Sequence, residues 1–209
     1  MLYKQAANIA VTTGKALAPF CQVINIVGSL RRASSMLGRE RMEIKDIDLI
    51  CVPKYTEIVS LELFGENKIA HKKVSINFVD AIKNIGSITK GSPDGRYMSL
   101  NVRNHKVDVF MPAASDYWRQ YCIRTGSANY VHWNIAKAWT NAGWCGTDQG
   151  LRRISDCREE LQPGSKSFDI KKKWIIEKLD GEQPPAWESE QHFFDWLGVK
   201  WIAPHVRSI

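Results

Sequence analysis

Three aspartates lie in strand-like parts of the sequence. Asp46 and Asp48 are one residue apart in the stretch KDIDLI, and Asp108 lies in HKVDVF. Because side chains alternate along a strand, Asp46 and Asp48 would share one face, where their carboxylates repel each other unless a cation lies between them. Carboxylates that converge from adjacent strands suit Mg²⁺, and two such ions can activate a hydroxyl group and stabilise the leaving oxygen of a phosphate. The sequence therefore predicts a magnesium site formed by these three side chains.

A glycine-serine turn precedes the first two aspartates. The stretch VGSLRR occupies residues 27–32 and follows an apolar segment, CQVINIV, that is typical of a buried strand. A turn of small residues followed by two arginines is suited to an anion. Each motif is weak by itself, because Asp-x-Asp pairs are common on protein surfaces. Together they favour a site for a phosphate-bearing ligand and its cations.

The composition is that of a globular protein with a basic surface. The chain has 209 residues, of which 44% are hydrophobic, enough for one large core or two subdomains. Lysine and arginine number 29 against 22 acidic residues, and the net charge of +7 favours a polyanionic partner. No apolar run approaches the roughly 20 residues of a membrane span, and the first residues do not resemble a signal peptide. We expect no association with membranes and a cytoplasmic location.

The five cysteines are widely spaced and form no CxxC pair. This spacing argues against a zinc ribbon and is typical of reduced thiols that pack as small apolar side chains.

Periodicity predicts an α+β fold with a mixed or antiparallel sheet. A helix should end near Pro19, and a turn is expected at SPDGR, 92–96. Strands are predicted at 21–27, at 46–53 and at KKVSINFV, 72–79. A short helix is predicted at VDAIKNIG, 79–86, and an antiparallel hairpin is predicted from YMSLNV and KVDVFMP.

The second half differs in character, since all eight tryptophans lie between Trp118 and Trp201. The stretch TGSANYVHWNIAKAWTNAGW predicts a helix capped by Ser127 and closed by Gly143. At 100° per residue its core face would comprise Val131, Ile135, Ala138, Trp139 and Ala142. Trp133 falls opposite that face, beside Lys137, where it either packs on a neighbouring segment or stacks on a nucleobase.

Five motifs in order resemble the family X DNA polymerases, the relatives of DNA polymerase beta: GSLRR, KDIDLI, KVDVF, TGS and ESEQHFFDWLGVKWIAP. The resemblance spans Cys21 to Pro204 and is closest to the minimal viral members. It implies a nucleotidyltransferase palm at 1–114, with a mixed β-sheet and helices on one face, followed by a small α/β thumb at 115–209. The lyase module and the helix-hairpin-helix fingers of larger members have no room here.

The resemblance also implies roles for individual residues. Asp46 and Asp48 would bind both metal ions, and Asp108 would complete the catalytic-metal site and help to remove the proton from the primer 3′-hydroxyl. Arg31 would form an ion pair between palm and thumb. The nucleotide would be bound by Gly28, Ser29, Arg32, Lys45, Gly126, Ser127, His132 and Asn134. DNA would be bound by Lys106, Trp133, Lys137, Lys171, Lys172 and Lys173.

This sequence departs from the family pattern at two points of the nucleotide site. Lys45 stands where the family often has glycine, and Ile123-Arg124 replaces the aromatic pair that often precedes TGS and crowds the 2′ position of the nucleotide sugar. The implied cofactors are two Mg²⁺ ions, for which Mn²⁺ can substitute. The implied partners are deoxynucleoside triphosphates and a DNA primer–template or gapped duplex, bound by a monomer.

Two other functions are compatible with these motifs. A nucleotidyltransferase of the same superfamily could modify an RNA end, a protein or a small molecule, although such enzymes do not normally have the TGS helix and the FDWLG-type ending. A DNA-binding subunit without activity is disfavoured, because all three aspartates are present.

Overall fold

A computed structural model describes residues 1–61, 67–163 and 170–208, with the backbone alone at 58–61, 67–72, 163, 170 and 171. The helices are α1 (Tyr3–Leu17), α2 (Gly28–Ala33), α3 (Ile76–Ile85), α4 (Tyr117–Thr125), α5 (Ala128–Tyr130), α6 (Lys137–Asn141) and α7 (Glu190–Leu197), and a π-helical segment (Val131–Ala136) joins α5 to α6. The strands are β1 (Cys21–Val27), β2 (Ile47–Pro53), β3 (Tyr55–Leu61), β4 (Asn67–Val74), β5 (Ser87–Gly91), β6 (Tyr97–Val102), β7 (His105–Phe110), β8 (Trp144–Thr147), β9 (Gly150–Arg153), β10 (Cys157–Pro163) and β11 (Ile170–Ile176).

A mixed five-stranded sheet forms the centre of the first half, in the order β1-β2-β7-β6-β5. β2 and β7 are parallel, whereas β1–β2, β6–β7 and β5–β6 are antiparallel. The predicted hairpin is confirmed, and Arg103 and Asn104 at its turn both have positive φ, 51° and 62°, as a two-residue hairpin of the favoured twist requires. The α+β class and the mixed sheet are therefore confirmed.

The helices within residues 1–114 pack on one face of this sheet, whereas α4 of the second half covers the opposite face. Leu49 and Cys51 point into a core that also contains α1 and α3. Ile50 and Val52 alternate with them and pack on Tyr117 of α4, on the opposite face. The face that α4 covers is the face of Asp48, because Asp48 shares the alternation of Ile50.

A second core lies within the second half of the chain. It is built from aromatic residues of α7 and the helical segments at 128–141, with Trp187 packed edge-on against Phe193 at 5.0 Å. Strand pairs β8–β9 and β10–β11 flank it.

The predicted helix at TGS is confirmed, with Ser127 accepting a hydrogen bond from the Tyr130 amide at 3.1 Å and Gly143 closing the helix at a φ of 81°. Ala142 is exposed, which contradicts its predicted place in the core. The π-helical segment is wider than an α-turn and shifts the phase of the residues that follow it.

The predicted strand KKVSINFV is wrong in its second half. β4 ends at Val74, Ser75 precedes α3, and the helix begins at Ile76, three residues before its predicted start. Among the described residues, no helix is long and apolar enough to cross a membrane.

A buried charge network joins the two halves. Arg31 of α2 donates to both carboxylate oxygens of Glu190 in α7 at 2.9 Å, as the resemblance implied for an ion pair at this position. Arg207, which is fully buried, donates to the same carboxylate at 2.7 Å, and Trp201 donates to it at 3.0 Å. Although burial opposes ionisation, these hydrogen bonds prevail and lower the pKa of Glu190 to about 2.

Replacing Glu190 with alanine should destabilise the fold by about 3–5 kcal/mol, because two arginines would lose their shared counter-ion in a buried site. Urea unfolding at neutral pH measures the change. The control is Glu182→Ala, since Glu182 pairs with Arg153 at 2.7 Å on the surface, and its loss should change the free energy of unfolding little. Equal effects of the two variants would contradict this account.

The same network predicts a dependence of stability on pH. The pKa of Glu190 is lowered from its usual 4.5 to about 2 in the fold, so its ionised form contributes stability above about pH 4.5. That contribution should disappear as the pH falls from about 4.5 to 2. Unfolding curves across this range should converge for the wild type and Glu190→Gln, and parallel curves would contradict the assignment.

Candidate active site

Asp48 and Asp108 lie directly opposite each other on the parallel strands β2 and β7. Asp108 is buried and Asp48 is half-buried. Burial, followed by the charges of Asp108 and Asp46, raises the pKa of Asp48 to about 6. The pair therefore concentrates negative charge in a place with little water, and it attracts a cation.

Lys106 supplies a positive charge to this pair. Its ammonium lies 2.7 Å from Asp108 Oδ2 and 3.6 Å from Asp46 Oδ1. Asp46 precedes β2 and is exposed, so it does not lie on the strand with Asp48 as the alternation argument assumed. The predicted ligands Asp46 and Asp108 are thus linked through the lysine.

The glycine-serine turn packs against the Asp48 carboxylate. Gly28 has a φ of 68°, and a Cβ at this position would overlap the Asp48 side chain. Ser29 follows at the start of α2 and is partly exposed. Only glycine permits both this backbone conformation and this close approach.

The charge of the Asp48 carboxylate also acts on Arg32. Burial lowers its pKa, and the negative charge of Asp48 opposes that shift. The guanidinium donates to the backbone carbonyl of Thr125 at 2.7 Å, which ties α2 to the end of α4. The motifs GSLRR and TGS are therefore held together beside Asp48.

A cavity of about 450 Å³ opens next to Asp48, within the size range of small-ligand sites. Gly126 and His132, both predicted to bind nucleotide, line it. Arg124 also lines the cavity, with its guanidinium stacked 3.9 Å above the ring of Phe110. Burial lowers the pKa of Arg124, whereas the charges of Asp48 and Asp108 raise it, so this arginine faces the carboxylate pair.

The other residues predicted on this helix lie outside the cavity lining. Asn134 is exposed and donates to the Tyr130 carbonyl at 3.2 Å. Trp133 is 61% exposed, with the Lys137 ammonium 5.5 Å from its ring centre and the His132 ring 4.7 Å away. Ser127 caps α5, and its backbone amide donates to the carbonyl of Arg207 at 2.8 Å.

The remaining predicted residues are not gathered at the carboxylates. Lys45 is exposed directly before Asp46. Lys172 pairs with Glu159 and Lys173 with Asp148, each at 2.9 Å, on the surface of β11. The side chain of Lys171 lies outside the described residues. The two described lysines therefore share their charge with acidic neighbours rather than presenting it alone.

The carboxylates fit a cation, and the Lys106 ammonium occupies the position of one. Among residues 1–61, 67–163 and 170–208, no three His, Cys, Asp or Glu side chains are close enough to form a ready metal-binding group. Lys106 nevertheless contacts the predicted ligands Asp46 and Asp108. Its charge also lowers the pKa of the third, Asp48, which burial and the other two carboxylates raise. Carboxylate oxygens are also the donors that Mg²⁺ prefers.

Sequence reasoning missed two residues of this site, Tyr97 and Phe110. The Tyr97 hydroxyl donates to Asp108 Oδ1 at 2.9 Å, and Tyr97 lies opposite Phe110 in the β6–β7 ladder. The two-residue turn fixes that register, so strand alternation from Asp108 could have placed both rings on the active face. Arg124 is singled out by its position before TGS, but its contact with Phe110 depends on how α4 packs on the sheet.

Comparison with family models and with curated proteins finds no match to this chain. The resemblance to family X polymerases therefore depends on the sequence motifs alone.

Substituting Gly28 with alanine should destabilise the protein more than the same change at Gly38. Both glycines have φ near 70°, and a Cβ at Gly38 meets nothing within 4 Å, so that variant experiences only backbone strain of about 1–2 kcal/mol. Gly28→Ala adds the collision with Asp48, for a further ~1–3 kcal/mol. Urea unfolding of the two variants gives the difference, and equal losses would show that the turn does not press on the carboxylate.

Proposed function

We propose that this protein is a template-directed DNA polymerase that adds deoxynucleotides to a primer 3′-hydroxyl by two-metal phosphoryl transfer, filling short gaps in DNA repair or viral DNA metabolism. One observation carries the proposal: Asp48 and Asp108 lie side by side on parallel strands while the Gly28 turn packs against Asp48. A phosphate held at that turn would lie next to this carboxylate pair, and divalent cations could bridge the two.

The carboxylates would hold two Mg²⁺ ions through Asp46, Asp48 and Asp108. When bound, the ions lower the pKa of the attacking hydroxyl and stabilise the charge that develops on the phosphate. Asp108 accepts the proton of the primer 3′-hydroxyl. Its burial and its hydrogen bond from Tyr97 hold the carboxylate in one orientation, as proton transfer requires.

The incoming nucleotide would extend from the turn into the cavity. Ser29 and the Gly28 backbone contact the triphosphate, and Arg32 offsets the charge that builds up on it. The sugar lies over Gly126 at the end of α4, and His132 faces the base from the helical segment. The nucleotide in this pose would contact Gly126 and His132, which line the cavity, and Arg32, on which the charge of Asp48 acts.

DNA would be bound by a basic surface with an exposed aromatic side chain. The net charge of +7 favours a polyanion, and Trp133 with Lys137 offers a ring and a cation side by side in solvent. Lys106 lies where the primer terminus must approach Asp108. Lys172 and Lys173 would be a second contact for duplex phosphates if they exchange Glu159 and Asp148 for phosphate oxygens.

Primer extension with Mg²⁺ and each nucleotide, with and without a template, tests the proposal. Insertion dictated by the template supports it. Labelling of an RNA end or a protein would instead identify a transferase for another acceptor, and duplex binding without transfer would identify a DNA-binding subunit.

In the same assay, Asp108→Asn should lower the rate of nucleotide addition by about a thousandfold, because a metal ligand and proton acceptor is lost. Duplex binding measured without divalent cation should change little. The matched control is Asp80→Asn, since Asp80 pairs with Lys83 at 3.4 Å on the surface of α3. Substantial activity of Asp108→Asn would place the third carboxylate elsewhere.

Discrimination against ribonucleotides should be weak. An aliphatic side chain and a cation replace the aromatic pair before TGS, and Arg124 can donate a hydrogen bond to a 2′-hydroxyl from its place on Phe110. We expect insertion efficiencies for the two sugars within about two orders of magnitude, or under ~3 kcal/mol. The double variant Ile123→Tyr/Arg124→Phe should discriminate more strongly. A wild-type preference for deoxyribose well above a thousandfold would contradict the inference.

A further inference from the structure

Both oxygens of the Asp108 carboxylate are already engaged. Oδ1 accepts a hydrogen bond from Tyr97 at 2.9 Å, and Oδ2 contacts the Lys106 ammonium at 2.7 Å. Asp108 is only 7% exposed, so little of it remains accessible to another ligand. A divalent cation must therefore displace one of these two partners to reach the carboxylate.

Lys106 is the partner that can leave. Its side chain is about half exposed, at 52%, whereas Tyr97 lies on the ladder opposite Phe110 and stacks on that ring at 5.4 Å. The ammonium stands at the end of a flexible four-carbon stem, which can swing into solvent without moving β7. Tyr97 would meanwhile keep Asp108 in place through Oδ1.

The position of Lys106 also suits an exchange of partners. Its ammonium contacts Asp46 as well as Asp108, so it occupies the space between two of the three predicted metal ligands. A cation in that space would repel it. A phosphate of an acceptor strand near Asp108 would attract it, because an ammonium is a strong point donor to phosphate.

We propose that Lys106 keeps the cation site closed until an acceptor-strand phosphate draws its ammonium away, so that the acceptor strand and the divalent cation bind cooperatively. This inference rests on the proposed function. Binding is reciprocal by thermodynamic linkage: if the duplex raises cation affinity, the cation raises duplex affinity by the same factor.

Mn²⁺ binding tests the proposal without any turnover. Free Mn²⁺ is titrated by electron paramagnetic resonance with the wild type, Lys106→Met, Lys106→Arg and Lys83→Met, each with and without a primer–template duplex and without nucleotide. Lys83→Met is the matched control, since it also removes a lysine that is paired with an aspartate, at 3.4 Å. Signal from Mn²⁺ that binds the duplex alone is subtracted.

Without duplex, Lys106→Met should bind Mn²⁺ about tenfold more tightly than the wild type, and the two other variants should match the wild type. The duplex should raise Mn²⁺ affinity of the wild type about tenfold and that of Lys106→Met little. Thermal unfolding establishes that each variant is folded. If Lys106→Met is not folded, the effect of the duplex on the Mn²⁺ affinity of the wild type still tests the proposal.

Two results would overturn the inference alone: equal Mn²⁺ affinity of Lys106→Met and the wild type, or an equal effect of the duplex on both. If neither protein binds Mn²⁺ with or without duplex, the proposed function fails as well. The two failures are therefore distinguishable in one titration series.

Discussion

The carboxylate of Glu190 holds together the parts from which the site is made. It accepts hydrogen bonds from Arg31 of α2, from Arg207 near the end of the described chain, and from Trp201. Arg31 in turn donates to Thr125 Oγ1 at 2.6 Å, so the same network reaches the end of α4. Because α2 carries the glycine-serine turn and Thr125 precedes Gly126, the network ties that turn to the segment that lines the cavity.

The site concentrates negative charge, and basic side chains of the same chain offset it. Asp48 and Asp108 are brought together by strand register, which leaves them no freedom to separate. Lys106 of β7 and Arg124 of α4 each lower the pKa of Asp48 and oppose the effect of burial on it. These two cations therefore favour the ionised carboxylate in a half-buried place.

Local patterns predicted the central elements well. The strand at 21–27, the hairpin turn and the cap at Ser127 follow from short-range chemistry, and each is present as expected. The convergence of Asp48 with Asp108 needed only the assumption that their strands are neighbours. The predicted place of Asp46 on the same strand as Asp48 is wrong, because β2 begins one residue after Asp46. The ends of a strand depend on pairing that the sequence does not display.

Long-range packing accounts for what the sequence could not reveal. Nothing near Glu190 marks it as the partner of two arginines, one of them 159 residues away. Likewise, the stacking of Arg124 on Phe110 requires α4 to lie on the second face of the sheet. The short strands β8–β11 have polar and charged residues with little alternation, and their pairing is set by their neighbours rather than by their own pattern.

The π-helical segment at Val131–Ala136 makes residue number, rather than residue type, the constraint on this helix. If this segment wound as an ordinary α-helix with all its residues kept, everything after it would rotate by about 100° around the axis. Trp139, now buried, would then leave the core while Trp133 kept its place in solvent. The extra residue that the π-turn holds therefore lets Trp139 face the core, and a relative with an ordinary α-helix here would need one residue fewer between those two tryptophans.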